Sequence, residues 1–206
     1  MPALPRPEQV IQTEKKAIID AAVDLISEQG AKGFSLRALA RVVGMSAANL
    51  YNYFSSKEEL LIYVRMNGFT LLQKEIEAAV NRESTALGKL EAYCRQLIAF
   101  GEENAGYYQL MLNTSTPKDM DFSNTPLMDI SSVEKKSSIY TFHYLREILR
   151  ELGVRDEAEL TLRGSQVICQ LHGFVALEYS RILREIGVDL HRMREETIQD
   201  VLHKFS

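Results

Sequence analysis

The side chains between Phe34 and Lys57 have the types and spacing of a DNA-reading surface. Residues 47–54 have the period of a short helix whose outward face carries small, amide and phenolic side chains. In the major groove, an asparagine amide can form paired hydrogen bonds with adenine, and a guanidinium can do so with guanine. Asn49 and Arg37 are therefore predicted to contact bases.

Other side chains of the same stretch could bind DNA phosphates or allow the helix to come close to the floor of the groove. Small Ala47 and Ala48 permit close contact with DNA, and hydroxyl and ammonium groups at helix ends can hold phosphates. The predicted DNA-binding residues are Ser35, Arg37, Ser46, Ala47, Ala48, Asn49, Tyr51, Tyr53 and Lys57.

Two short helices that cross steeply would position these side chains. Such a pair needs a small residue at the crossing, a turn residue that tolerates positive φ, and an apolar residue facing back. Ala40, Gly44 and Leu50 supply these three properties at offsets of four and six residues. Ser35 and Ser46 are good N-caps for the two helices. The alternative is a helical hairpin inside an ordinary bundle.

The rest of the chain has a helical period almost throughout, which predicts an all-α fold of about nine helices. Gly30 and Gly33 should end the first helix, and Ser56 with Glu59 forms a capping-box pattern. Residues 113–134 are polar and lack a period, so we expect a loop there. Later helices are predicted over about 136–152, 156–186 and 189–205.

Charge and composition exclude several classes of protein. The net charge is −4; residues 1–70 hold eight basic and seven acidic side chains, and residues 71–206 hold 16 and 21. Any anion-binding face should therefore be local and lie in the first part. No membrane span, secretion signal, catalytic motif, metal site or cofactor site is predicted, and a cytoplasmic location is the default. Cys94 and Cys169 are expected to be buried thiols.

The run from Gly44 to Leu60, GMSAANLYNYFSSKEEL, resembles the turn, recognition helix and start of helix four of the TetR/AcrR family of bacterial transcriptional regulators. The resemblance implies that Tyr51 and Lys57 clamp the DNA backbone. Base-facing positions would be Arg37, Ala47, Asn49 and Tyr53. It further implies a ligand-binding and dimerisation domain over 56–206, which follows the DNA-binding domain over 8–55. Residues 1–7 are predicted to be a disordered tail.

The segment Leu171–Phe174 resembles the family's subgroup named for a Trp-His-Gly signature, with Leu171 in place of Trp. A pocket for an apolar or aromatic effector is expected among neighbouring helices. The alternative is that the same side chains pack a core. The predicted effector-binding residues are Tyr93, Leu97, Phe100, Tyr107, Tyr108, Met111, Phe142, Cys169 and His172.

The helix-turn-helix predicts a homodimer that reads a palindromic double-stranded DNA operator. With the ligand-binding domain that the resemblance implies, we expect a repressor that a small molecule releases from this operator. Apolar positions in Val167–Leu177, with Met193, Val201 and Phe205, are expected to form the dimer interface. One alternative is a helical small-molecule carrier or enzyme whose front domain is structural. The other is a DNA-bound recruiter of partner proteins that takes no ligand.

Overall fold

The computed structural model describes residues 7–113 and 116–206, and no strand occurs among them. The predicted all-α fold is confirmed, with ten helices in these residues. The predicted tail over 1–7 lies outside the described residues except for Pro7. The helices are α1 (Glu8–Gly33), α2 (Leu36–Val42), α3 (Ala47–Leu50), α4 (Lys57–Val80), α5 (Ala86–Glu103), α6 (Ala105–Tyr108), α7 (Met128–Glu151), α8 (Glu157–Tyr179), α9 (Ile182–Glu185) and α10 (Leu190–Leu202).

Three helices begin at the polar residues that the sequence indicates. The side chains of Ser56, Asp156 and Asp189 accept hydrogen bonds from the backbone N–H three residues later, at 3.0, 2.9 and 3.1 Å. These bonds satisfy donors that the first helical turn leaves without partners. The Glu59 carboxylate accepts the backbone N–H of Ser55 at 2.6 Å, so the box at the start of α4 closes one residue earlier than expected.

Two predicted boundaries are wrong. Helix α7 begins at Met128, inside the expected 113–134 loop, where a 3-10 helix (Asp119–Phe122) also forms. Its first turns have no apolar period because two of their buried positions are polar, Ser131 and Glu134. Helix α8 ends at Tyr179 instead of near 186, since Arg181 takes a left-handed conformation with φ of +62°.

The described residues up to Gly68 form one compact unit together with Ala105–Lys135. Within it, α1 packs against α2 and α6, and α2 packs against α3. The first unit also contains the π-helical turn Gln109–Asn113. Its buried core consists of Ile18, Ile19, Ala22, Leu25, Ile26, Phe34, Leu36, Leu39, Ala40, Leu50, Tyr53, Phe54, Leu60, Leu61, Val64 and Leu110.

The second compact unit comprises Phe69–Asn104 and Lys136–Ser206. Here α5, α8 and α10 pack against one another, and α9 packs against α8. Buried side chains on α5 follow a helical spacing, as at Leu90, Cys94, Leu97 and Ile98. Burial of such an apolar stripe is what stabilises a helix in a bundle.

Candidate nucleic-acid interface

Helices α2 and α3 form the predicted helix-turn-helix. The hydroxyl of Ser35 accepts the Ala38 N–H at 3.2 Å, and the hydroxyl of Ser46 accepts the Asn49 N–H at 3.1 Å. Gly44 turns the chain between the helices with φ of +67°, a conformation that side chains with a Cβ disfavour. Both predicted N-caps and the turn glycine are therefore confirmed.

The two short helices are held in place by a shared hydrophobic core. Ala40 and Leu50 are both buried, as the crossing requires, and Leu39 and Phe34 lie in the same core. Four residues of α3 cannot form a stable helix alone, so tertiary packing determines its position. Because this core lies on one side, the opposite face of α2 and α3 is open to solvent.

The open face carries most of the side chains predicted to contact DNA. Arg37, Ala48 and Tyr51 are exposed, while Ala47 and Asn49 are half-buried. The side-chain oxygen of Asn49 accepts a hydrogen bond from the Asn52 amide nitrogen at 3.3 Å. This contact orients Asn49 and leaves its own amide nitrogen available as a donor.

Lys57 lies at the start of α4 and reaches back to the start of α2. Its ammonium donates to the Phe34 carbonyl oxygen at 2.7 Å and lies 5.3 Å from the centre of the Phe34 ring. An ammonium has three donors, so this bond still leaves capacity for an anion.

Four predicted DNA contacts line one open groove of about 480 Å³. Ser35 and Arg37 come from α2 and its cap, Tyr51 follows α3, and Lys57 begins α4. An ammonium, a guanidinium and two hydroxyl groups on one concave surface can bind the phosphates of a DNA backbone. The full lining is Phe34, Ser35, Leu36, Arg37, Tyr51, Ser55, Ser56, Lys57 and Glu58.

Tyr53 does not have the outward position expected for it. Its side chain is 7% exposed, and its hydroxyl donates to the Glu14 carboxylate of α1 at 2.5 Å. The ring is buried because α1 packs over this side of the recognition segment. Glu14 is a residue that the sequence reasoning missed, and no local pattern joins two positions 39 residues apart.

Two family models match the chain. One, described as "Bacterial regulatory proteins, tetR family", matches residues 18–64, which include the whole helix-turn-helix. The other, described as "Tetracyclin repressor-like, C-terminal domain", matches residues 90–201, more than half of the chain. The chain belongs to the TetR family. TetR-family proteins are DNA-binding transcriptional regulators, for which dimerisation and ligand response are typical.

Individual relatives agree with the TetR-family assignment. The nucleoid occlusion factor SlmA of Aliivibrio fischeri (strain MJ11) is 27% identical over 173 residues, which cover 81% of this chain and 82% of SlmA. The crystal structure of SCO4313 shares the fold with a TM-score of 0.76 and 20% identity, covering 97% of this chain and 100% of that one. The TetR family regulator PfmR from Thermus thermophilus has a TM-score of 0.66 and 23% identity, covering 90% of this chain and 97% of that one.

The residues predicted to bind an effector are divided between the two compact units of this TetR-family chain. Tyr107, Tyr108 and Met111 belong to the first unit, where Tyr107 and Met111 lie against the backbone at Gly68. Burial, followed by the nearby charges of Asp20 and Asp24, raises the pKa of the Tyr107 hydroxyl. Their role as effector contacts stays a prediction.

The other six predicted effector residues lie in the second unit. Tyr93, Leu97 and Phe100 on α5 are fully buried or nearly so, and the Tyr93 hydroxyl donates to the Thr141 carbonyl at 3.2 Å. Phe142 of α7 contacts α8 at Gly164. Half-buried His172 has a lowered pKa because burial disfavours its charged form.

The two cysteines differ, although both were expected to be buried. Cys94 is buried, and desolvation raises the pKa of its thiol to about 12. Cys169 is exposed, so the prediction for it is wrong. It lies on the outer side of α8, away from the buried Val167 side. Its role as an effector contact is untested, as is the resemblance to the Trp-His-Gly subgroup.

Two further observations concern the described ranges alone. In residues 7–113 and 116–206, no helix is both long and apolar enough to span a membrane. Within those ranges, no three His, Cys, Asp or Glu side chains are grouped closely enough to hold a metal ion.

Proposed function

We propose that the protein is a homodimeric repressor that reads a palindromic operator and is released by a small apolar or aromatic molecule. The observation that carries the proposal is the shared groove, in which Ser35, Arg37, Tyr51 and Lys57 meet. We assign operator reading to residues 8–55 together with the start of α4 at Lys57, and effector binding and dimerisation to the rest of 56–206.

Different side chains of this surface take different roles in the proposal. Tyr51, Lys57 and the Ser35 hydroxyl hold phosphates, together with the N-terminal amides of α4, whose dipole favours an anion. Arg37 and Asn49 contact base edges, and Ala47 and Ala48 permit close approach beside the Ser46 cap. Tyr53 acts from inside the unit, through its bond with Glu14.

A second copy of the chain would supply the second half-site. Half-sites read by paired recognition helices lie about 34–36 Å apart, one turn of DNA. Of the apolar positions expected at the interface, Val167, Leu171 and Val201 are buried within their own unit and are unavailable. Exposed Leu162, Cys169 and Leu177 are spaced by seven and eight residues along α8, so they share one face. We assign the dimer contact to this α8 face.

Sequence-specific binding is tested by measuring the affinity for duplex DNA from around the protein's own gene and for scrambled DNA, near physiological salt. If the two affinities are equal, a preferred sequence is sought by selection from random-sequence duplexes. We expect a preference above about 10³-fold for one sequence. Equal binding to all sequences, with no site recovered by selection, would favour the carrier or enzyme alternative.

Two substitutions separate phosphate contacts from base contacts. Asn49→Ala should cost about 1–3 kcal/mol of operator binding and relax the preference at a few base pairs. Tyr51→Ala should weaken binding to all sequences and leave the preference unchanged. Tyr140→Ala is the matched control, since this second-unit tyrosine has a comparably exposed side chain. An unchanged operator profile for Asn49→Ala would contradict its assigned role.

Effector release is tested by linkage. A compound that lowers operator affinity must itself bind more weakly to the operator-bound protein, by the same factor. We propose contacts from Tyr93, Leu97, Phe100, Phe142 and His172 in the second unit. Exposed Cys169 is assigned to the dimer contact instead of the effector site. Phe142→Ala and His172→Ala should weaken effector binding while operator affinity without effector stays unchanged. The repressor proposal fails if no bound compound changes operator affinity.

A further inference from the structure

The segment Ala105–Lys135, here called the brace segment, belongs to the same compact unit as the helix-turn-helix. Its Leu110 is fully buried in the core that also contains Leu50 of α3. The described parts of the brace segment therefore pack in the same unit as the recognition residues. They do so although they lie far from α3 in the sequence.

Two glycines show how closely the brace segment lies against α1 and α4. A Cβ atom at Gly106 would come within 2.7 Å of the Val23 carbonyl oxygen of α1. One at Gly68 of α4 would collide with the Met111 sulfur and lie 2.8 Å from the Tyr107 ring. The backbone of the brace segment at Gly106 thus lies directly against α1, and its Tyr107 and Met111 side chains lie directly against the backbone of α4.

A buried ion pair joins the brace segment to α4. The Arg65 guanidinium donates to both carboxylate oxygens of Glu134, from Nε at 2.6 Å and from Nη2 at 2.7 Å. Two of its three remaining N–H donors bond the Thr116 hydroxyl at 3.0 Å and the Pro117 carbonyl at 3.2 Å. The Arg65 side chain is 1% exposed and that of Glu134 is 6% exposed. All of these acceptors belong to the brace segment.

The same stretch of α4 also carries part of the helix-turn-helix core. Leu60, Leu61 and Val64 lie in the cluster that contains Leu50. One side of α4 thus packs in the same core as the recognition helix α3. Arg65 joins α4 to the brace segment. Planar, paired hydrogen bonds fix both the direction and the rotation of a helix, which apolar contacts do less strictly.

A gain in folding stability alone does not explain the buried Arg65–Glu134 pair. Replacing a buried ion pair by apolar side chains of similar volume is often neutral or stabilising. Here Lys118 adds a second positive charge close by, and the pKa of its ammonium is lowered by burial and by the charge of Arg65. The buried pair is therefore better explained by a role in geometry than by one in stability.

We infer that Arg65 and Glu134 are positioning residues for operator binding, which fix α4, and with it the recognition helix, relative to the brace segment. The inference rests on the proposed function. It means that any ligand or partner that shifts residues 116–135 changes operator affinity without touching the groove.

The test uses the full chain with two variants and a matched control. Glu134→Gln removes the charge and keeps the shape, while Arg65→Met combined with Glu134→Leu replaces the pair by apolar groups. Glu195→Gln is the control, because Glu195 makes a paired contact with Arg95 at the surface of the second unit. Operator affinity, affinity for scrambled DNA and thermal unfolding are measured for each.

We expect Glu134→Gln to lower operator affinity by about threefold to thirtyfold, with affinity for scrambled DNA unchanged. The apolar double variant should regain thermal stability but not operator affinity, and Glu195→Gln should change neither. Recovery of operator affinity together with stability in the double variant would show a purely structural role and overturn the inference. Unchanged operator affinity in Glu134→Gln would overturn it too. If the wild type itself shows no operator preference, the proposed function has failed instead, and the inference fails with it.

Discussion

The two compact units are stabilised in different ways. In the first unit, directed polar bonds cross the interior, as in Arg65–Glu134 and Tyr53–Glu14. In the described part of the second unit, every ion pair has at least one partly exposed partner, as in Arg95–Glu195. The helices of this unit meet mainly through apolar side chains, with buried hydrogen bonds such as that from Tyr93 to the Thr141 carbonyl among them. Apolar packing tolerates single changes of side chain that keep volume, whereas removing one partner of a directed bond leaves the other partner unsatisfied. The DNA-binding unit therefore needs particular residues, and the second unit needs mainly a pattern.

The largest expected effect tests this difference with two arginines. Arg65→Ala leaves the Glu134 carboxylate buried without its partner and should lower the free energy of unfolding by about 3–5 kcal/mol. Arg95→Ala removes a pair of similar geometry at the surface and should cost less than about 1 kcal/mol. Urea denaturation of both variants gives the comparison. Equal losses would show that burial does not distinguish the two units.

The same difference explains what the sequence could predict. Ser35, Gly44 and Leu50 act on neighbours within a few residues, so their spacing alone predicts the helix-turn-helix correctly. Arg65 and Glu134 are 69 positions apart, and no period connects them. Polar residues at buried positions of α7 removed the apolar signal, and the start of that helix was therefore placed too late.

Within the surface predicted to bind DNA, the burial of Tyr53 could not be predicted from the sequence for the same reason. Helical period places Tyr53 with its neighbours on one face of a short segment, but it does not show which other helix covers that face. Helix α1 covers it at Glu14, and Tyr53 is buried as a result. In the second unit, the sequence distinguishes apolar from polar positions. It cannot distinguish a pocket from a filled core, because both have the same pattern.

Tyr53→Phe tests the second directed bond of the first unit. The substitution removes the hydroxyl that donates to Glu14 and should cost about 1.5–3 kcal/mol of stability, the range for a hydrogen bond to a charged group. Operator affinity should fall as well, because the bond joins α1 to the recognition segment. Glu14→Gln keeps an acceptor and should lose less than Glu14→Ala.

The control is a double-variant cycle. Tyr53→Phe combined with Glu14→Ala should cost less than the sum of the two single changes if the residues act through one bond. Additive losses in unfolding and in operator affinity would show that the two residues act separately.

Substitutions at two glycines should change the stability in opposite directions, and the gain at the second glycine is a small effect. Gly106→Ala places a Cβ atom 2.7 Å from the Val23 carbonyl oxygen, and we expect a loss of about 1–3 kcal/mol from overpacking. Gly173→Ala on α8 meets nothing within 4 Å in its own chain and should stabilise the helix by about 0.5–1 kcal/mol. Thermal unfolding at several protein concentrations measures both.

The result at Gly173 also bears on the proposed dimer. Gly173 lies between exposed Cys169 and Leu177, one turn from each, on the α8 face assigned to the second copy. A gain in stability at every concentration would show that a Cβ atom fits there in the dimer as well. A loss that grows with protein concentration would mean that a partner helix approaches the backbone at Gly173, since no described atom of the same chain is close enough to collide with it.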